Sequence, residues 1–201
     1  MKTQIDKTKI NVYLKNLINL KVIHKEYPVT EKIKRTVQTY GGLYKLKDNY
    51  FKFYFRYLFP NISELEEGDV EGVYQLLIKP TFEQYVSTIF EDICIQYLRK
   101  CNTSGQLPFR FLKIGRWWNK QEEIDIVCFD DTNNVIFGEC KWKNDKVGIK
   151  ELETLKNKSF ATGLSKRNTT YYLFSKSGFD QKLLKLAQID STIKLIKPDM
   201  F

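Results

Sequence analysis

The pattern of apolar and polar positions predicts helices and strands that alternate through the last two thirds of the chain. Apolar side chains at helical spacing predict helices over residues 82–99, 150–160 and 181–188. Apolar runs rich in β-branched and aromatic residues predict strands over residues 109–117, 124–129, 135–141, 170–175 and 193–196. The order is αβββαβ with a further helix before the last strand, which predicts an α/β fold.

The first third of the chain predicts a different module. Residues 9–20 have the spacing of an amphipathic helix, and residues 22–27 and 43–46 have the composition of short strands. A polar, basic segment over residues 30–39 and a Gly41-Gly42 turn join these strands. Helix, strand, basic loop and strand are the order of part of a winged helix-turn-helix, whose earlier helices need more residues than precede Lys9.

Two further segments complete the prediction of domains. An aromatic stretch over residues 48–59 predicts a helix, and the acidic residues 64–71 predict a connector. We therefore expect a partial winged helix with the aromatic helix over residues 1–60, and an α/β domain over residues 61–201.

Residues 122–143 predict a β-hairpin that brings charged side chains together. Two apolar strands flank the turn-forming sequence DDTNN, and centring the turn there places Asp125 opposite Glu139. Lys141 lies two residues beyond Glu139 and shares its face, because strand side chains alternate. Two carboxylates and an ammonium are thus predicted to meet at the open end of the hairpin.

Both faces of this hairpin are apolar, which predicts that helices cover both. One face is predicted to carry Val127, Phe129, Val135 and Phe137, and the other Ile124, Ile126, Cys128, Ile136 and Cys140. Carboxylates at the end of a buried hairpin cost free energy unless a group such as a divalent cation compensates them. Asp125 and Glu139 are therefore predicted ligands of Mg²⁺ or Mn²⁺. The alternative is a surface hairpin with solvated charges.

Several motifs in this region resemble a known superfamily. They are the D-x13-E-C-K pattern, IGRWW before EEIDIV, GECKWK and FEDICIQYL. Together they resemble the PD-(D/E)XK nuclease superfamily and, more closely, the C-terminal domain of unknown function in archaeal DEXX-box ATPases. The resemblance extends from about Lys9 to the C-terminus.

The resemblance implies a restriction-endonuclease-like core and a role for each matched residue. Asp125 and Glu139 would hold the metal, Lys141 would be the catalytic lysine, and Glu91 the acid of the preceding helix. Glu83 lies nearer the apolar arc of that helix, and so remains the alternative to Glu91.

The net charge of +9 is confined to the first third of the chain. Residues 1–60 contain 13 Lys and Arg against 4 Asp and Glu, whereas residues 61–201 contain 20 of each. Such a basic segment suits contacts with DNA phosphates, which give affinity without sequence preference. The alternative is a solvated or protein-docking surface.

Composition limits the location of the protein and the types of catalysis that it could perform. The absence of a membrane-length apolar run or a signal peptide predicts a cytoplasmic protein that does not bind membranes. Four cysteines without C-x-x-C spacing predict reduced core thiols. His24 is the only histidine and no P-loop motif is present, so neither His-dependent nucleophilic catalysis nor ATP hydrolysis has a supporting motif here.

Two functions follow as expectations. The first is a Mg²⁺-dependent nuclease-like domain that acts on DNA. The second is a catalytically silent module that docks an ATPase, in cis or in trans, onto nucleic acid or a partner protein. An incomplete winged helix would also leave the apolar side of residues 9–20 exposed, which favours a homodimer or docking on another domain.

Overall fold

A computed structural model describes residues 6–31 and 42–201 of the chain, which form two compact units. Residues 6–27 and 42–80 belong to the first unit, and residues 28–31 and 81–201 to the second. The predicted domain boundary between residues 60 and 61 lies inside the first unit. Most of the predicted basic segment, and Gly41, lie outside the described residues.

The first unit begins with the helix and two strands that the sequence predicts. Helix α1 (Lys7–Asn19) is followed by β1 (Ile23–Glu26) and β2 (Leu43–Leu46), which pair antiparallel. A salt bridge of 2.6 Å between Lys45 and Glu26 links the two strands. Helix α1 exposes the apolar side chains of Val12, Tyr13, Leu17 and Ile18. Of the apolar positions that gave the predicted helical spacing, Leu17 is exposed, whereas Ile10 and Leu14 are half-buried.

Two successive segments repeat the same irregular helical path. The first runs through α2 (Asn49–Phe53), a π-helix (Tyr54–Leu58), a 3-10 turn (Phe59–Asn61) and α3 (Ile62–Glu66). The second runs through α4 (Val70–Val73), a π-helix (Tyr74–Ile78), a 3-10 turn (Lys79–Thr81) and α5 (Phe82–Thr103). Pro60 and Pro80 occupy corresponding places in the two 3-10 turns. Proline cannot donate the backbone hydrogen bond of a continuing helix, so it suits such a turn.

The predicted acidic connector at residues 64–71 is wrong, because much of it is helical. Helix α3 extends to Glu66, and α4 begins at Val70. The side chain of Asp69 accepts a hydrogen bond of 2.9 Å from the backbone N–H of Gly72, which caps α4. Acidic residues stabilise the N-terminus of a helix in this way, so their presence did not require a solvated connector.

The second unit is a mixed α/β structure built on one five-stranded sheet. The strands, in both chain and spatial order, are β3 (Lys113–Trp118), β4 (Glu123–Phe129), β5 (Asn134–Lys141), β6 (Asn168–Ser175) and β7 (Ile193–Ile196). Strands β3, β4 and β5 are antiparallel, whereas β5, β6 and β7 are parallel. Helix α6 (Ile149–Phe160) precedes β6, and α7 (Gln181–Ile189) precedes β7. The predicted α/β class is confirmed.

Helices cover both faces of this sheet, as the sequence predicts. The first core packs Val127, Val135 and Phe137 of the hairpin against Leu152 and Leu155 of α6 and Leu183 of α7. The second core packs Ile126, Cys128 and Ile136 against Phe90, Cys94 and Leu98 of α5. All four cysteines are buried free thiols, as predicted. No helix in the described residues is both long enough and apolar enough to cross a membrane.

The predicted hairpin register is confirmed from the pair Ile126–Gly138 to the pair Phe129–Val135, whereas the predicted pair of Asp125 with Glu139 lies beyond the paired residues. Ile124 lies on the opposite face from the predicted one. Val127 pairs with Phe137 as expected. On the other side of β4, Val127 pairs with Gly115 and Ile124 with Trp117, so three steps along β4 match two along β3. This β-bulge inserts one residue into the alternation and places Ile124 in the first core with Val127.

Gly138 should not tolerate a side chain. It pairs with Ile126, and a Cβ atom added to Gly138 would lie 3.0 Å from the Cβ of Ile126. Because that Cβ is fixed to the backbone, no rotamer change relieves the contact and the strands must move. Gly138→Ala should therefore lower the free energy of unfolding in urea by about 1–3 kcal/mol.

The matched control is Gly115→Ala on the edge strand β3. Its added Cβ would lie 3.3 Å from Val29, a residue outside the regular strands, which can shift more easily. This variant should lose less stability than Gly138→Ala. Equal unfolding midpoints for Gly138→Ala and the wild type would contradict the prediction.

Candidate functional site

Asp125, Glu139 and Lys141 meet where the pairing of β4 with β5 ends. Strand β5 lies between β4 and β6, so Glu139 near its end is buried, with 5% of its surface exposed. Beyond the last pair of the two strands, the backbone N–H of Cys140 donates a hydrogen bond of 2.8 Å to Oδ2 of Asp125. This hydrogen bond thus links Asp125 to β5 beyond the last regular pair, next to Glu139.

The two carboxylate oxygens of Glu139 have different surroundings. Oε1 accepts a hydrogen bond of 2.5 Å from Nζ of Lys141. Oε2 is buried and has no hydrogen-bond partner within the described residues. Nζ of Lys158, on α6, lies 3.7 Å from Oε2, which forms an ion pair but not a hydrogen bond. A buried oxygen without a hydrogen bond lowers the stability of the fold by about 1–3 kcal/mol, and its lone pairs remain available to a ligand.

The pKa of Asp125 shows that several acids lie close together. The pKa of Asp125 is raised to about 7, mainly by burial and then by repulsion from the carboxylates of Glu139 and Glu91. The N–H of Cys140 and the ammonium of Lys141 act in the opposite direction. A bound cation would reduce the repulsion between these three acids in a poorly solvated environment.

Lys141 keeps its positive charge at neutral pH. Burial alone would lower the pKa of Lys141, but the carboxylates of Glu139 and Asp125 raise it above the ordinary value for lysine. A lysine in this state can donate hydrogen bonds and stabilise negative charge, but it is a poor general base.

The two candidate acids of α5 lie in different surroundings. Oε2 of Glu91 accepts a hydrogen bond of 2.9 Å from Nε of Arg116, and the charge of Glu91 contributes to the raised pKa of Asp125. Oε1 of Glu83 accepts a hydrogen bond of 3.2 Å from Asn144 instead. The interaction with Asp125 favours Glu91 over Glu83 as the helix acid of the site.

Arg116 of β3 fixes Glu91 in this position. Its guanidinium donates to Glu91 through Nε at 2.9 Å and to Asp92 through Nη2 at 3.0 Å. These charge-assisted hydrogen bonds tie α5 to the sheet next to the site. The sequence pattern does not reveal these contacts, because the two partners of Arg116 are 24 and 25 residues away.

Lys158 is a residue of the site that the sequence prediction missed. It follows Leu155 by three residues on α6, and Leu155 is fully buried. Residues three apart share a helix face, so Lys158 lies beside the apolar stripe that packs on the sheet. A lysine beside the buried stripe of α6 was the one feature of the sequence that could have indicated this role.

The donor set fits a Mg²⁺-type cation better than a protein-enclosed metal site. Among residues 6–31 and 42–201, no group of three or more His, Cys, Asp or Glu side chains is arranged to hold a metal ion. Mg²⁺ is commonly held by only one or two carboxylates, with water and substrate phosphate as its other ligands. Asp125 and Glu139 could supply two carboxylates, and the unsatisfied Oε2 of Glu139 is a suitable ligand atom.

The chain belongs to the DUF234 family, described as archaeal and bacterial proteins of unknown function. The family model matches residues 54–158, which contain α5, the hairpin and most of α6. The chain is also similar to an uncharacterized protein of Methanocaldococcus jannaschii, with 40% identity over 169 residues. The match covers 82% of this chain and 36% of the relative, so the chain spans about a third of that protein's length. No solved structure matches the chain.

Asp125 should make the metal-free protein less stable as the pH rises. Its pKa is about 7 in the folded chain against an ordinary value of 3.8, so the folded state holds a proton that the unfolded state has lost. The resulting stability is complete below pH 3.8 and disappears as the pH passes about 7. The free energy of unfolding in urea should fall more steeply with pH in that window for the wild type than for Asp125→Asn. The two slopes should differ by up to about 1.4 kcal/mol per pH unit.

Asp145→Asn is the control for this measurement. Asp145 is exposed, so its replacement should leave the pH dependence of the wild type unchanged. The amide oxygen that Asp125→Asn introduces can still accept the hydrogen bond from Cys140, which isolates the effect of the charge. Parallel pH profiles for the wild type and Asp125→Asn would show that Asp125 has an ordinary pKa.

Proposed function

We propose that this chain contains a Mg²⁺- or Mn²⁺-dependent nuclease-like domain that hydrolyses phosphodiester bonds in DNA. The observation that carries the proposal is the meeting of Asp125, Glu139 and Lys141 at the end of a buried hairpin, with Oε2 of Glu139 unsatisfied. The order of α5, three strands, α6 and β6 agrees with the αβββαβ order of a restriction-endonuclease-like core, which supports this assignment.

Each residue of the site would have a distinct role. Asp125 and Glu139 would hold the cation, which supplies Lewis-acid stabilisation and a bound water of lowered pKa. Lys141 would hold the scissile phosphate or orient the attacking water, and its raised pKa supports a charged role. Glu91 would bind the water shell of the cation, and Arg116 would keep Glu91 in place.

DNA is the proposed substrate because of the basic first third of the chain. In the first unit, Lys9, Lys15, Lys21 and Lys47 are exposed. Exposed lysines on one segment can neutralise backbone phosphates and bind DNA without reading its sequence. An ATPase domain, in cis or in trans, and a second copy of the chain are further proposed partners, since α1 exposes apolar side chains.

A catalytically silent binding or regulatory module is the second candidate. The observation that favours it is that Lys141 and Lys158 both lie beside Glu139, so two cations of the chain itself already oppose its charge. In that case these ion pairs would stabilise a surface for nucleic acid or for an ATPase. The two candidates differ in whether the wild type cleaves DNA.

Replacement of the site residues should separate cleavage from binding. Glu139→Gln and Lys141→Gln should each lower the Mg²⁺-dependent cleavage rate by about a hundredfold or more, since each removes a charge that acts on the transition state. DNA affinity should be unchanged, because it is assigned to lysines of the first unit. Single-stranded, duplex and branched DNA should be tested with Mg²⁺ and with Mn²⁺.

The control for this experiment is Glu153→Gln on the exposed side of α6. It removes the same charge from the same unit and should cleave like the wild type. Failure of the wild type to cleave any of the three DNA forms with either metal would support the silent module instead.

The salt dependence of DNA binding tests the basic surface independently of cleavage. Replacing Lys9, Lys15, Lys21 and Lys47 with Gln should weaken binding to duplex DNA. The slope of log K against log salt concentration should flatten by about 0.9 for each phosphate that the variant no longer neutralises. The measurement is a fluorescence-anisotropy titration at several salt concentrations.

Four exposed lysines of the second unit provide the matched control. They are Lys100, Lys166, Lys182 and Lys185. Their replacement with Gln changes the net charge by the same amount, and the slope should remain close to that of the wild type. Equal slopes for the two variants would mean that the first unit makes no specific contribution to phosphate binding.

A further inference from the structure

The ion pair between Lys158 and Glu139 is unusual because it leaves a buried oxygen of Glu139 poorly satisfied. The two groups are 3.7 Å apart, and Oε2 of Glu139 accepts no hydrogen bond among the described residues. The side chain of Lys158 is 19% exposed, whereas that of Glu139 is only 6% exposed, so the buried Oε2 of Glu139 is the group that lacks both water and a hydrogen bond. A buried ion pair without good hydrogen bonds seldom stabilises a fold more than an apolar pair would.

The position of Lys158 is explained only in part by its helix. Lys158 lies in the last turn of α6, where a positive charge is favoured by the helix dipole. That effect would be equally available to a lysine that points to solvent. Lys156, two residues earlier, shows a different arrangement, since its ammonium lies 5.3 Å above the ring of Tyr171. The dipole therefore does not account for the direction of Lys158 towards Glu139.

We propose that Lys158 is a placeholder cation, meaning that it neutralises Oε2 of Glu139 in the metal-free protein and is displaced when a divalent cation binds there. This inference rests on the proposed function, because it needs a metal at Asp125 and Glu139. The ammonium compensates the buried charge while the site is without metal. Because no hydrogen bond holds it, it can leave Oε2 at little cost.

A placeholder cation competes with the metal, so its removal should strengthen metal binding. Lys158→Gln should bind Mn²⁺ about tenfold more tightly than the wild type in isothermal titration calorimetry, because the variant lacks one positive charge next to a ligand oxygen. Lys156→Gln, on the same helix, should bind Mn²⁺ like the wild type. A residue with only a structural role would leave the affinity unchanged or lower it.

A second variant keeps the test decisive if Lys158→Gln does not fold. Lys158→Arg retains the charge and presents more hydrogen-bond donors over a longer reach, so it should satisfy Oε2 and weaken Mn²⁺ binding several-fold. An affinity for Mn²⁺ equal to that of the wild type in every Lys158 variant that folds would overturn the placeholder role alone. Absence of Mn²⁺ binding in the wild type and in all variants would instead count against the metal site, and so against the proposed function.

Discussion

The stability of the second unit depends on how it compensates the buried carboxylate of Glu139 on the central strand of its sheet. Glu139 lies on β5, between β4 and β6, where it is buried next to Cys140 in sequence and opposite Leu173 on β6. Removing an ionised carboxylate from water costs several kcal/mol, and the ion pair with Lys141 returns only part of that. Leu173, opposite Glu139 on β6, shows the type of residue that would suit the sheet better. Stability alone does not explain Glu139, whereas ligand binding would.

The β-bulge in β4 determines which acids can act together with Glu139. Regular alternation would keep Asp125 on one face of the sheet with Val127. The extra residue between Ile124 and Val127 breaks that alternation. The pKa of Asp125 responds both to Glu139 on β5 and to Glu91 on α5, a helix that packs on the second core. The bulge thus lets one side chain interact with acids from the sheet and from the helix that covers it.

The sequence was sufficient for those features that local pattern controls. Alternation and turn chemistry determine the two strands of the hairpin and the pairing of Val127 with Phe137, so both were predicted correctly. The face of Ile124 was not, because the bulge arises from pairing with β3, which hairpin alternation does not encode. The two π-helical segments were missed for a similar reason, since apolar spacing does not separate α from π hydrogen bonding. Only the recurring prolines at 60 and 80 gave a signal.

The residues of the candidate site can also be divided into those that local sequence pattern predicts and those that only tertiary packing reveals. Asp125, Glu139 and Lys141 come from one hairpin, so local pattern was enough to predict that they lie near one another, although the regular pairing of β4 with β5 ends before Asp125. Arg116 and Lys158 come from other elements, so only the packing of β3 and α6 shows that they face the acids. A single-sequence prediction therefore finds candidate residues within one hairpin more readily than residues whose contacts depend on the packing of several elements.

The balance of these charges decides what the site can do next. In the metal-free protein, Asp125 is partly protonated near pH 7 and Lys158 lies beside Glu139, so the acids are already compensated without a cation. A divalent cation that binds and releases one proton from Asp125 adds one net positive charge to the site. The displaced ammonium of Lys158 and the ammonium of Lys141 would then both be available to a phosphate. The groups that partly compensate the buried acids in the metal-free protein are thus the groups that would favour an anionic substrate once a metal is bound.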